Sequence, residues 1–178
     1  MDTSLEQLIM AANQGDADAQ CELGFIYEEG DGVQQDHAEA ARWFRLAADQ
    51  DDAMAQISLG DLYAHGDGVQ QSDAEALQWY RRAVDQSEPL ACYRLGLMYY
   101  NGWGVKQDYA KALRLFVKST QERDGMVIEN ADILIGDIYF HGLGTAQNLQ
   151  EAKYWYCRAA ERGLSGAQEK LSRIINQH

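Results

Sequence analysis

The chain has 178 residues, of which 46% are apolar and one is proline, so its composition predicts one continuous folded body and excludes an intrinsically disordered chain. Its formal charge of −13 is uneven: residues 1–89 hold 19 acidic and 4 basic side chains, and residues 90–178 hold 9 and 11. This acidity argues against nucleic acid and anionic membranes as partners and favours a basic protein. A solvated acidic surface kept for solubility explains it equally well.

Targeting and cysteine patterns predict a cytoplasmic protein. The first ten residues lack the basic start and the apolar stretch of a secretory signal. No window approaches the roughly 18 consecutive apolar residues that a membrane-spanning helix needs. The three cysteines share no Cys-x-x-Cys spacing, which predicts free thiols and neither a metal nor a redox site.

In chain order, every predicted element is helical. Residues 1–15 match the end of a repeat's second helix and predict an N-terminal capping helix, whereas residues 164–178 match the start of a first helix and predict a C-terminal cap. Four helix-loop-helix repeats fill the interval between these caps. Their predicted boundaries are 16–51, 52–87, 88–123 and 124–163.

One block of residues, Leu-Gly-x-x-Tyr-x-x-Gly-x-Gly-Val, marks the first helix and loop of each repeat. It begins at Leu23, Leu59, Leu95 and, with variations, Ile135. Each second helix carries alanines and aromatics at helical spacing, with tryptophan at one position in three repeats: Trp43, Trp79 and Trp155. The glycine after each leucine falls mid-helix, where it costs roughly 1 kcal/mol relative to alanine, so its recurrence predicts close helix packing.

The start of each second helix is marked by good N-cap residues at one repeat position: Asp36, Ser72, Asp108 and Asn148. Three residues later stand Glu39, Glu75, Lys111 and Glu151. Glutamate at this position predicts a capping box in three of the four repeats, and lysine breaks the pattern in repeat three.

These two patterns together, Ala-x-x-Leu-Gly-x-x-Tyr-x-x-Gly-x-Gly-Val and Ala-x-x-Trp-x-x-x-Ala-Ala, resemble the Sel1-like repeat, a relative of the tetratricopeptide repeat. The resemblance covers nearly the whole chain. It implies an all-α, right-handed α/α superhelical solenoid whose first helices line a concave face. Members generally act as adaptors for protein complexes, often in bacteria. Some secreted relatives carry a cysteine pair in every repeat, and this sequence lacks such pairs.

Catalytic patterns are weak, and we predict neither an enzyme nor a bound cofactor or metal. The Gly-x-Gly loops lack the third glycine of a dinucleotide fingerprint and follow a helix rather than a strand. No Ser-x-x-Lys, His-Glu-x-x-His or Walker-type motif occurs. His65 and His141 share one repeat position but lie two repeats apart, too distant to share an ion.

A partner is expected at the variable positions of the first helices, because the core positions are fixed by the repeat. The predicted groove residues are Phe25, Glu28, Glu29, Asp61, His65, Tyr93, Arg94, Leu97, Tyr100, Asn101, Asp137, Phe140 and His141. Aromatic rings beside acids suit a peptide with apolar anchors and basic flanks. Alternatively, several of the apolar residues only thicken the packing between repeats.

Two loop residues form a possible second contact. Trp103 and Leu143 occupy the Gly-x-Gly loops at a position where repeats one and two have aspartate. These apolar residues predict a second contact surface or a dimer surface. Alternatively, they pack back onto the chain itself. Four extra residues follow repeat three, and segment 121–129 is expected to lengthen a helix or loop.

The sequence therefore predicts an adaptor that binds a protein segment in the concave groove. An acidic inhibitor or immunity-type protein that masks a basic toxin or effector is the alternative, supported by the charge asymmetry alone.

Overall fold

A computed structural model describes residues 3–121 and 130–175 of the chain. Within these ranges it contains ten α-helices and no strand. The chain divides into two compact units, the N-terminal unit Met1–Glu88 and the C-terminal unit Pro89–His178. Segment 122–129, where a longer helix or loop was expected, lies outside the described residues, as do 176–178.

Five of the described helices lie in each unit. Those of the N-terminal unit are α1 (Thr3–Asn13), α2 (Ala17–Glu29), α3 (His37–Asp49), α4 (Ala53–His65) and α5 (Asp73–Asp85). Those of the C-terminal unit are α6 (Pro89–Asn101), α7 (Tyr109–Ser119), α8 (Ala131–His141), α9 (Leu149–Glu161) and α10 (Ala167–Ile175). Within each unit every helix packs against the next one along the chain, which confirms the predicted all-α helix-loop-helix repeats.

In three repeats the second helix carries a buried tryptophan that packs against the first helix. In the N-terminal unit, Trp43 packs in one cluster with Leu23 and Tyr27, and Trp79 packs in another with Leu59 and Tyr63. Both indoles are buried, with Trp79 only 7% exposed. In the C-terminal unit Trp155 packs in the same way with Ile135 and Tyr139.

The mid-helix glycines receive aromatic rings, which confirms the prediction of close packing. A Cβ atom on Gly60 would lie 2.5 Å from the Tyr80 ring, and one on Gly24 would lie 2.4 Å from the Phe44 ring. Gly96 and Gly136 face the rings of Phe116 and Tyr156 in the same way: Cβ atoms there would lie 2.6 Å and 2.4 Å from them. Real Cβ atoms do not approach other heavy atoms this closely, so any larger residue at these four positions would force the ring to move.

Second-helix N-caps form as predicted, but the capping box does not. The Asp36 carboxylate accepts hydrogen bonds from the backbone amides of Ala38 and Glu39, and the other three cap residues accept in the same manner. The Asp36 amide, however, donates to the carbonyl of Tyr27 at 2.9 Å, as do the equivalent amides to the equivalent tyrosines. A glutamate has no amide left to accept from, and Glu39 pairs instead with Arg42 at 3.0 Å.

A glutamine that the sequence analysis overlooked closes each first helix. The Gln35 side-chain amide donates to the carbonyl of Glu28 at 2.8 Å, and Gln71 donates to Ala64 at 2.9 Å. Gln107 and Gln147 make the equivalent bonds in the C-terminal unit. Because terminal carbonyls of a helix lack intrahelical donors, this bond holds the last turn, on which several of the predicted groove residues lie.

Candidate protein-binding surfaces

The predicted groove residues of the N-terminal unit lie on α2 and α4: Phe25, Glu28, Glu29, Asp61 and His65. We call this set the N-terminal surface. Glu29 and His65 are exposed, whereas the other three are half-buried. The Phe25 ring packs edge-on against Phe44 with 5.0 Å between centroids, so one face of this aromatic residue belongs to the core.

Negative charge is crowded around Glu28. Burial raises the pKa of the Glu28 carboxyl, and Asp61, Glu29 and Asp67 raise it further, whereas His37 lowers it. An incoming lysine or arginine would relieve this crowding. The N-terminal surface is therefore locally acidic.

The predicted groove residues of the C-terminal unit lie on α6 and α8, and we call them the C-terminal surface. They are Tyr93, Arg94, Leu97, Tyr100, Asn101, Asp137, Phe140 and His141. Asn101 and His141 are exposed, and the others are half-buried. The exposed residues of both surfaces share one repeat position near the C-terminal end of a first helix.

The two tyrosines of α6 lie on one face of the helix, as their spacing predicted, and that face packs on Phe116. Ring centroids are 5.8 Å apart for Tyr93 and Phe116, and 6.1 Å apart for Tyr100 and Phe116. Tyr100 also packs edge-on against Tyr109 at 5.2 Å. Burial raises the pKa of both tyrosines, which agrees with rings that are partly enclosed by the core. Their truncation would therefore perturb the core as well as the surface.

Asp61 and Asp137 have intramolecular partners that sequence reasoning missed. The Tyr80 hydroxyl donates to Asp61 at 2.5 Å, and the Tyr156 hydroxyl donates to Asp137 at 2.6 Å. Lys170 adds a salt bridge to Asp137 at 2.6 Å. Both aspartates thus position a second-helix tyrosine, and Asp137 also pairs with a lysine from α10.

The sequence does contain a signal for this pairing. Aspartate occurs on the first helix in the two repeats whose ring is tyrosine, repeats two and four. In repeats one and three the ring is phenylalanine, and the same first-helix position holds Phe25 or Leu97. A hydroxyl is thus matched with an acceptor, and a plain ring is matched with an apolar side chain.

The predicted second contact divides into two different environments. Trp103 is 50% exposed, whereas Leu143 is half-buried and packs against the core cluster of the C-terminal unit. Of the two, Trp103 offers the larger apolar surface to a partner.

No group of three or more His, Cys, Asp or Glu side chains is arranged to hold a metal ion among residues 3–121 and 130–175. No helix in those same ranges is long and apolar enough to cross a membrane.

Helix pairs recur along the chain, each with an aromatic ring packed on a mid-helix glycine, a glutamine that closes the first helix and a polar N-cap on the second. These features define a helical repeat protein. The Sel1 repeat profile matches residues 17–52, 53–88, 89–123 and 130–164, and the chain belongs to the Sel1 repeat family. Proteins of this family generally serve as scaffolds for protein–protein interaction rather than as enzymes.

Solved structures agree with this assignment. The chain is similar to a Sel1 repeat protein from Oxalobacter formigenes, with a TM-score of 0.86 and 30% identity over 97% of this chain and 69% of that one. It is also similar to a protective antigen present in uropathogenic Escherichia coli strains, with a TM-score of 0.67 and 28% identity over 97% of this chain. This chain spans 44% of that antigen. No curated protein matches the chain.

Proposed function

We propose that the chain is an adaptor that binds a protein segment on the exposed face of its first helices. The observation that carries this proposal is the character of that face on α2, α4, α6 and α8. On α2, α6 and α8, half-buried rings that pack on the second helices stand beside the exposed polar residues Glu29, Asn101 and His141, and α4 contributes Asp61 and His65. Rigid aromatic anchors with variable polar neighbours are the features that protein interfaces favour.

The acidity of the N-terminal unit supports a basic segment as the partner. Nineteen acidic and four basic side chains lie in residues 1–88. The carboxylates around Glu28 would attract a lysine or arginine side chain of the partner. The net negative charge of the unit would also accelerate its encounter with a basic protein. The association should weaken as salt is raised from about 0.05 to 0.5 M, because salt screens the attraction between the acidic unit and a basic partner.

Site-specific photo-crosslinking in cells tests the proposed face. A photoreactive amino acid is placed at His65 or Asn101, both exposed on first helices, and separately at Gln78 or Lys153, both exposed on second helices. We expect a discrete adduct from His65 and Asn101 and none from the control positions. Equal labelling from the second-helix positions would show that the partner uses another face.

An immunity-type inhibitor is a second candidate, favoured by the net charge of the N-terminal unit. It requires that the partner be a basic protein whose activity is blocked in the complex. Purification of the crosslinked partner separates the two functions: an adaptor leaves its partner active, whereas an inhibitor abolishes a toxic activity stoichiometrically.

A further inference from the structure

The C-terminal unit contains a cleft where the other repeats contain a tryptophan. The cleft has a volume of about 340 Å³ and lies between α6 and α7. Its walls are Leu95, Tyr99, Leu115, Lys111, Arg114 and Lys118. Leu115 occupies the repeat position of Trp43, Trp79 and Trp155.

The walls of this cleft are the residues that hold an indole elsewhere in the chain. Leu95 and Tyr99 correspond to Leu23 and Tyr27, which pack in one cluster with Trp43. Residues at the same two positions share a core cluster with the indole in repeats two and four. Repeat three keeps both walls, but its shorter leucine leaves the space between them open.

Repeat three also keeps basic residues at the positions from which arginines contact the tryptophan rings in the other repeats. The Arg82 guanidinium lies 4.8 Å from the Trp79 ring centroid, and the Arg158 guanidinium lies 5.0 Å from that of Trp155. Lys118 stands at this repeat position, next to the cleft. In repeat one, Arg42 covers its tryptophan at 4.2 Å from the neighbouring position, which Arg114 occupies in repeat three.

We propose that this cleft binds an aromatic side chain, best a tryptophan, from a partner segment whose flanking residues are acidic. The ring would take the place of the missing indole between Leu95, Tyr99 and Leu115. Arg114 and Lys118 are exposed and would cover the ring by cation–π contact while pairing with flanking carboxylates. Lys111, which lies 5.1 Å from the Tyr99 ring and 3.6 Å from Asp108, completes the basic rim.

Charge complementarity selects this occupant. Three basic side chains border one small apolar cleft, so a basic segment of the kind proposed for the N-terminal surface would be repelled here. The cleft is thus a second interaction site, and its partner chemistry is opposite to that of the first-helix face. Its test is independent of the photo-crosslinking experiment, because none of its walls is a crosslinking position.

The probe is a fluorescent peptide, Asp-Glu-Trp-Glu-Asp with blocked ends, followed by anisotropy and by the methyl NMR signals of Leu95 and Leu115. Leu115→Trp restores the residue of the other repeats and should fill the cleft. We expect this variant to keep or raise the melting temperature while lowering peptide affinity at least about tenfold. Val117→Trp is the matched control, since Val117 is exposed on the same helix and is not a wall of the cleft.

Two further peptides and one double variant test the chemistry. Replacing the peptide's tryptophan by serine, or its acids by asparagine and glutamine, should each weaken binding at least about tenfold, as should Arg114→Glu with Lys118→Glu. Absence of peptide binding to the wild-type chain at millimolar concentration would overturn the proposal. So would equal affinity of Leu115→Trp and wild type, or a dimer that Leu115→Trp abolishes, which would make a second copy the occupant.

Discussion

Replacement of Gly60 by alanine sets two opposing effects against each other. Alanine in a helix interior gains about 1 kcal/mol over glycine. The new methyl group, however, would lie 2.5 Å from the Tyr80 ring, which must move. Overpacking of this kind costs about 1–3 kcal/mol, and loss of a hydrogen bond to a carboxylate costs about 1.5–3 kcal/mol. Since the moving ring carries the hydroxyl bonded to Asp61, we expect a net destabilisation of about 1.5–5 kcal/mol.

Urea unfolding monitored by circular dichroism measures this change, and a double-mutant cycle identifies its cause. Tyr80→Ala alone should cost about 3–5 kcal/mol because it leaves a cavity. In the double variant the methyl group of Ala at position 60 no longer meets a ring, so the two losses should sum to more than the measured loss. A Gly60→Ala variant that is about 1 kcal/mol more stable than wild type would refute the reasoning, because helix propensity would then outweigh the ring contact.

The remaining predictions concern the core, the acidic surface and a buried ion pair. Trp79→Ala should cost about 3–5 kcal/mol in urea unfolding, since the indole is buried, and an unchanged midpoint would contradict its core position. Because burial raises the folded-state pKa of Glu28, its ionised form destabilises the fold as pH rises. Glu28→Gln should therefore raise the melting temperature at pH 7. At about pH 3 the carboxyl is protonated in both the folded and the unfolded state, so the substitution should have no such effect. The fully buried Asp132 pairs with Arg158 at 3.1 Å and with Arg162 at 2.9 Å, so Asp132→Ala should cost about 3–5 kcal/mol in urea unfolding. A loss below about 0.5 kcal/mol would show that solvent compensates both arginines.

The repeat fold was predictable from sequence because its determinants are local. Capping residues act on amides two or three positions away, and a glycine at fixed helix register can be read from the repeat alone. The same logic failed for the capping box. The amide of Asp36 finds its acceptor at Tyr27, nine residues earlier and across the loop, and glutamate spacing does not reveal that bond.

Prediction of the candidate surfaces was limited by long-range packing. The spacing of Tyr93 and Tyr100 placed them on one helix face, but their contact with Phe116 on α7 depends on how the two helices meet. Asp61 was expected to meet a partner, and its carboxylate is bonded to a tyrosine 19 residues later. A comparison of first and second helices between repeats would have revealed this match, whereas inspection of first helices alone could not.

The matched aspartate and tyrosine should also disfavour mispairing of helices between repeats. Adjacent repeats are so similar that a second helix could dock on the wrong first helix. If the Phe44 ring of α3 took the place of the Tyr80 ring against Gly60, it would face the Asp61 carboxylate, and the loss of a bond to this half-buried acceptor would cost about 1–3 kcal/mol. If the Tyr80 ring took the place of the Phe44 ring against Gly24, its hydroxyl would face Phe25, which offers no acceptor. We therefore expect either exchange to be less stable than the native pairing.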